Sequence, residues 1–198
     1  MPIDAKQVMK LRNETGAGAM ECKKALEENG GDEAKARTWI QAKGLAKTEK
    51  LGGREAKEGW IGQYVHNNGK VAALVEVNCN TDFTARNEEF QAIVRELAIA
   101  VVAFNPKYVS KDQIPAATLE EEKKKYENDV KGKPPQIAEK ILEGKLDKNL
   151  YAQTCLLSMP FPKEDQFKGT YGEFVKALSA KTGENVVLRR FVRMELGA

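Results

Sequence analysis

WIGQYVHNNGKVAALVEV, residues 60–77, is where the chain changes from helical spacing to a period of two. Asn68-Gly69 is a strong type I′ hairpin signal, and a two-residue loop there pairs His66 with Val71, Tyr64 with Ala73 and Gly62 with Val75. Trp60, Tyr64, Val71, Ala73, Val75 and Val77 then share one buried face. A third strand for the same sheet is expected in ENVVLRRFVRMEL, residues 184–196, where Val186, Leu188, Val192, Met194 and Leu196 alternate, interrupted only by Arg190.

Helical patterns surround these strands. Phe90, Ile93, Val94, Leu97, Val101 and Phe104 form one core-facing stripe that Asn105-Pro106 ends. From Leu119 to Leu146 two helical runs are separated by Gly132 to Pro135, with a narrow seam of Leu119, Tyr126, Val130, Ile137, Ile141 and Leu146 between charged flanks. This predicts an antiparallel helical hairpin over about 118–147, each arm about 20 Å long, projecting from the body. A short helix over about 171–181 precedes the last strand.

The N-terminal segment reads as three short helices. Asp4 and Gln7 form a capping box ahead of Val8 and Leu11, and Thr15 to Gly18 breaks the pattern. A second helix, Ala19 to Glu28, carries Met20, Cys22, Ala25 and Leu26 as apolar positions; Asp32 caps a third, with Ala36, Trp39 and Ile40, that Gly44 stops. Residues 1–45 thus make a small three-helix unit suited to docking, 46–58 a charged linker with Gly52 and Gly53, and 59–198 the main domain. Strands and helices are segregated, so the fold class is α+β: a three-stranded antiparallel sheet packed with helices.

Composition narrows the function. The 198 residues are 41% hydrophobic, enough for a core, and no stretch is apolar enough to span a membrane. The N-terminus has no apolar signal-peptide core, so a cytoplasmic protein is expected. The net charge of +3 comes from 32 basic and 29 acidic residues finely interleaved, which argues against a nucleic-acid footprint and for a protein partner or small substrate. Cys22, Cys79 and Cys155 are odd in number and widely spaced, as buried free thiols are. His66, the lone histidine, has no nucleophile or acid beside it, no phosphate-binding glycine loop occurs, and no cofactor or metal set is found. A hydrolase or transferase has no supporting constellation.

One junction stands out. In NCNTDFTARNEEF, residues 78–90, a large aromatic follows Asp82 where a turn residue is expected. Phe83 lies seven residues before Phe90, so an early helix start, with Asp82 as N-cap, extends the stripe and buries it. If Thr84 is the cap instead, the staple partner of Phe83 is Glu88, and the ring has no local anchor. Periodicity leaves burial and exposure both open.

LRNETGAGAMECKKALEENGGD, LVEVNCNTDFTARNEEFQ, GKPPQIAEKILEGKL and ENVVLRRFVRMELG, in that order, resemble bacterial elongation factor Ts over essentially the whole chain. The resemblance implies a guanine nucleotide exchange factor, not an enzyme, acting in translation elongation on elongation factor Tu, the GTPase that delivers aminoacyl-tRNA. It implies that the N-terminal unit is similar to ubiquitin-associated (UBA) domains and docks on the partner through Leu11, Arg12, Gly18, Ala19 and Met20, with Ala19 standing where many relatives carry methionine. It implies that Thr81, Asp82, Phe83 and Thr84 work at the partner's magnesium and phosphate site, the phenyl ring displacing the metal so that GDP leaves and GTP enters. The magnesium is the partner's. Longer members have two related core halves and this chain shows one, so pairing through the sheet and adjoining helices into a homodimer is expected. The alternative is a general interaction protein acting only through its N-terminal helices.

Overall fold

The computed structural model describes residues 3–15, 17–163 and 166–198; Gly16, in the expected break after the first helix, lies outside the described residues. The chain opens with α1 (Ala5–Thr15), α2 (Ala19–Glu28) and α3 (Glu33–Leu51). Asp4 starts α1, its carboxylate accepting from the Lys6 N–H at 3.1 Å while the Gln7 side chain accepts from the Asp4 N–H at 3.4 Å. Asp32 caps α3 in the same way, accepting from the Lys35 N–H at 3.0 Å. Leu11, Cys22, Leu26, Ala36 and Ile40 close a small core of their own. Met20 is not part of it. It lies two residues before Cys22, roughly 200° round the helix, and is 80% exposed.

Strands β1 (Glu58–Val65) and β2 (Val71–Cys79) form the expected hairpin in the expected register, with Tyr64 opposite Ala73 and Gly62 opposite Val75. The turn differs. The Gly69 N–H donates to the His66 carbonyl at 2.7 Å, and Gly69 alone has a left-handed φ of 66°. This is a turn centred on Asn67-Asn68 followed by a glycine bulge, not the type I′ turn expected on Asn68-Gly69, yet it leaves the register unchanged. Gly62 is needed for a separate reason: a Cβ there would lie 2.6 Å from Val94 Cγ1 and 3.0 Å from the Val94 carbonyl oxygen. Trp60 is exposed, contrary to its expected place on the buried face.

After β2 come the one-turn helix α4 (Asp82–Ala85) and the long α5 (Glu88–Phe104), which lies across the inner face of β1 and β2. Phe90, Val94, Leu97 and Val101 are buried as the stripe predicts, but Ile93 is only half-buried and Phe104, at the helix end, is exposed; Asn105 ends α5 in a left-handed conformation. The expected helical hairpin consists of α6 (Ala116–Lys124), α7 (Glu127–Val130) and α8 (Pro135–Leu146), so its first arm is interrupted at Lys125-Tyr126. A π-helical turn, Asp147–Tyr151, and α9 (Ala152–Thr154) lead back to the body. Ile114, Leu146, Leu150 and Cys155 form a second small core beneath the arm, while Ile137, expected in the seam, is exposed.

The chain finishes with α10 (Tyr171–Thr182) and β3 (Val187–Glu195), which pairs antiparallel with β2 to give the order β1-β2-β3. The fold is therefore α+β around a three-stranded antiparallel sheet, as the patterns indicate. The expected face of β3 holds for only half its length. Val77 pairs with Leu188 and Glu76 with Arg190, so Arg189 is an extra residue and the alternation inverts there. Leu188 points inward before the bulge and Phe191 and Arg193 are half-buried after it, which turns Val192 and Met194 to the outer face. Gly44 does not stop α3. It lets α3 cross α10 closely, since a Cβ there would stand 3.3 Å from Ala180 Cβ, and the helix continues into the stretch expected to be linker, burying Leu51.

Candidate partner-binding site

Between β2 and α5 the backbone makes two successive helix starts. Thr81 is the N-cap of α4, its hydroxyl accepting from the Thr84 N–H at 3.4 Å. Asn87 is the N-cap of α5, its carbonyl accepting from the Glu89 N–H at 2.8 Å. Neither Asp82 nor Thr84 is the cap. Asn87 is extended, with φ −67° and ψ 129°, so α4 is not an extension of α5 and its residues do not continue the buried stripe. Ala85 is the buried residue of α4, and Phe83, two positions earlier, points to the opposite side by roughly 200°. Phe83 is 88% exposed.

The exposed ring stands at the rim of a shallow cleft of about 270 Å³ lined by Thr84, Asn87, Phe90, Leu178 and Lys181. Lys181 pairs with Glu89 at 2.5 Å across this region. Asp82 pairs with Arg86 at 3.1 Å on the solvent side, both side chains being more than half exposed. The site thus presents one exposed apolar ring near two ion pairs, Asp82–Arg86 and Glu89–Lys181, on a backbone capped at both helix starts.

The junction is tied from behind by residues distant in sequence. Glu184, between α10 and β3, accepts from the Asn80 N–H at 3.0 Å, the Thr81 N–H at 3.1 Å and the Thr81 hydroxyl at 2.5 Å. Partial burial acts to raise the Glu184 carboxyl, but the hydrogen bonds from Thr81, Thr84 and Asn80 outweigh it and hold the group below the usual range. The Cys79 thiol, which donates to the Thr81 carbonyl at 3.2 Å, is pushed up to about 11 by burial and by the nearby Glu184 charge. Spacing does not reveal Glu184, because its partners lie more than 100 residues away.

The N-terminal candidates are placed apart from this junction in the sequence and divide into two kinds. Arg12, in the last turn of α1, and Gly18, Ala19 and Met20, at the start of α2, are exposed, whereas Leu11 is only 1% exposed and belongs to the small helical core. Among the described residues there is no grouping of three or more His, Cys, Asp or Glu side chains that could hold a metal ion, and no helix long and apolar enough to cross a membrane.

The family model described as Elongation factor TS matches residues 45–168, and so spans the hairpin, the Asp82-Phe83 junction and the helical arm. The chain belongs to the elongation factor Ts family. It is 48% identical over 198 residues to elongation factor Ts of Thermodesulfovibrio yellowstonii, covering all of this chain and 98% of that protein. The same full coverage, now of both chains, holds for Coprothermobacter proteolyticus elongation factor Ts at 47% identity and for that of Fervidobacterium nodosum at 44%. Membership makes the chain a translation elongation factor, working in protein biosynthesis.

Proposed function

We propose that the chain is the guanine nucleotide exchange factor of elongation factor Tu and has no catalytic chemistry of its own. The observation that supports this most directly is the exposure of Phe83 on a doubly capped turn, where a side chain of that size has no structural use. Residues Thr81 to Thr84 approach the partner's magnesium and phosphate site. Phe83 enters as a wedge, Asp82 makes polar contacts at the same place, and the displaced metal no longer helps to hold GDP. Residues 1–45 act as a UBA-like docking module through Arg12, Gly18, Ala19 and Met20, and the cytoplasm, where translation takes place, is the expected compartment.

Energetics assign the parts different shares. Burying one phenylalanine contributes roughly 1.5–3 kcal/mol, a tenfold to hundredfold change in an equilibrium. Reciprocity requires the factor to lose in the presence of GDP whatever affinity GDP loses in the complex. Contacts elsewhere must therefore supply the binding that lets the ring enter.

The same reading includes a homodimer. Ile61, Val65, Leu74, Val192 and Met194 are exposed together on the outer face of the sheet, with Leu74 paired to Gln63 on one side and Val192 on the other. An exposed apolar face of this kind marks an interface, and a second copy presents the same face. Leu74→Asp is expected to convert a dimer to a monomer in a sedimentation experiment without unfolding it. A wild type that sediments as a monomer at all concentrations removes the dimer. The function itself is tested by release of fluorescent GDP from elongation factor Tu: acceleration by the wild type is expected, with most of it lost in Phe83→Ala.

A further inference from the structure

We infer that Glu184 is a positioning residue for Phe83: by holding the Asn80-Thr81 junction it fixes where α4 presents the ring. This rests on the exchange-factor reading above. A four-residue helix has almost no stability of its own, so its direction depends on what holds its N-cap. Glu184 holds that residue three ways, through the Thr81 N–H, the Thr81 hydroxyl and the preceding Asn80 N–H. The neighbouring Asn185 completes the attachment, donating its N–H to the Asn80 side chain at 2.7 Å and its carboxamide to the Arg54 carbonyl at 2.8 Å. Asn80 in turn donates to the Glu55 carbonyl at 2.7 Å. Three distant segments, 54–55, 80–81 and 184–185, meet at the two residues that lead into α4 and Phe83.

A purely structural carboxylate is the competing account. Two observations favour the positioning role. Glu184 follows Gly183, the C-cap of α10, where that helix's dipole disfavours negative charge, so its place is not explained by α10. Its carboxylate holds Asn80 and Thr81 just before Phe83 and is also reached by the Thr84 hydroxyl just after it, while the main core is closed separately by Phe90, Val94, Leu97 and Val101. Three bonds to one charged group are strong and directional, which suits fixing an orientation.

The test uses the full chain and release of fluorescent GDP from elongation factor Tu, comparing wild type, Phe83→Ala, Glu184→Gln and the double variant. Glu184→Gln keeps the shape and can keep its carbonyl oxygen on the two N–H donors with its NH2 on the Thr81 hydroxyl, so it removes the charge that strengthens these bonds; a slowing of about tenfold is expected, the order that loss of charge assistance gives. The double variant should be no slower than Phe83→Ala alone, because a misplaced ring and a missing ring are the same defect. Thr81→Val, which removes the hydroxyl link from the other side, should slow release in the same direction. Release by Glu184→Gln at the wild-type rate, while Phe83→Ala is slow, overturns the role; so does a double variant whose slowing is the product of the two. A wild type that fails to accelerate release overturns the exchange-factor reading first, and this role with it.

Discussion

Phe83 and Phe90 stand seven residues apart, the same interval that joins Phe90 to Leu97 on the buried stripe, yet one is 88% exposed and the other 1%. The difference is made by a single extended residue, Asn87, which ends one helical turn and starts a new helix. Ahead of it the chain is set by caps and by distant hydrogen bonds; after it, by the hydrophobic stripe. A side chain can be released from the core without lengthening a loop when a helix is broken and restarted within two residues.

The strongest way to break this contrast is to truncate each ring. Phe90→Ala is expected to cost about 3–5 kcal/mol, as removal of a core aromatic does. In a chain of this size that lowers the melting temperature by roughly 2–4 °C per kcal/mol. Phe83→Ala is expected to stay within about 0.5 kcal/mol of the wild type, as exposed substitutions do. Thermal unfolding of the two variants side by side checks this, and a large loss in Phe83→Ala would show that the ring has a packing role after all.

The restart itself is the next target. Asn87→Ala removes the side chain that caps α5 and should cost about 1 kcal/mol in urea unfolding. No loss would mean that burial of Ala85 and Phe90 sets the break, and that the cap merely accompanies it.

A smaller effect follows from pH. The folded carboxyl of Glu184 lies below its ordinary 4.5, so its contribution to stability is complete above that value and is lost as the pH falls through the folded one. The stability gap between the wild type and Glu184→Gln, read from urea midpoints, should therefore be constant near neutrality and shrink below about pH 4.5. A gap that widened on acidification would mean that the carboxylate is destabilised where it sits.

These contrasts also show what spacing can and cannot carry. The β1-β2 register and the α5 stripe were legible because they depend on residues adjacent in the pattern. The outward turn of Val192 and Met194 was not, because a bulge at Arg189 leaves the sequence alternation intact while inverting the face. Gly44 read as a stop because glycine ends helices more often than it accommodates a crossing helix. Phe83 could be placed only as an alternative, since the choice rests on which of Thr81, Asp82, Thr84 and Asn87 act as caps. Glu184 lay wholly outside reach, joined to the junction by the fold and not by local sequence.

The smallest expected effect concerns Arg86, the solvent-side partner of Asp82. The pair is 3.1 Å long, but both side chains are more than half exposed, and i,i+4 pairs of this kind contribute only about 0.3–0.5 kcal/mol. Arg86→Ala should therefore leave stability nearly unchanged. Its effect on exchange separates two uses of Asp82. If Asp82 meets the partner directly, the ion pair must open on binding, and removing Arg86 should leave GDP release equal to or slightly faster than wild type. If Arg86 instead holds Asp82 in the orientation that α4 presents, release should slow while the melting temperature stays fixed. The first outcome extends the contrast with Phe90 from one residue to two, making Asp82 and Phe83 together the part of the turn that is free of structural duty.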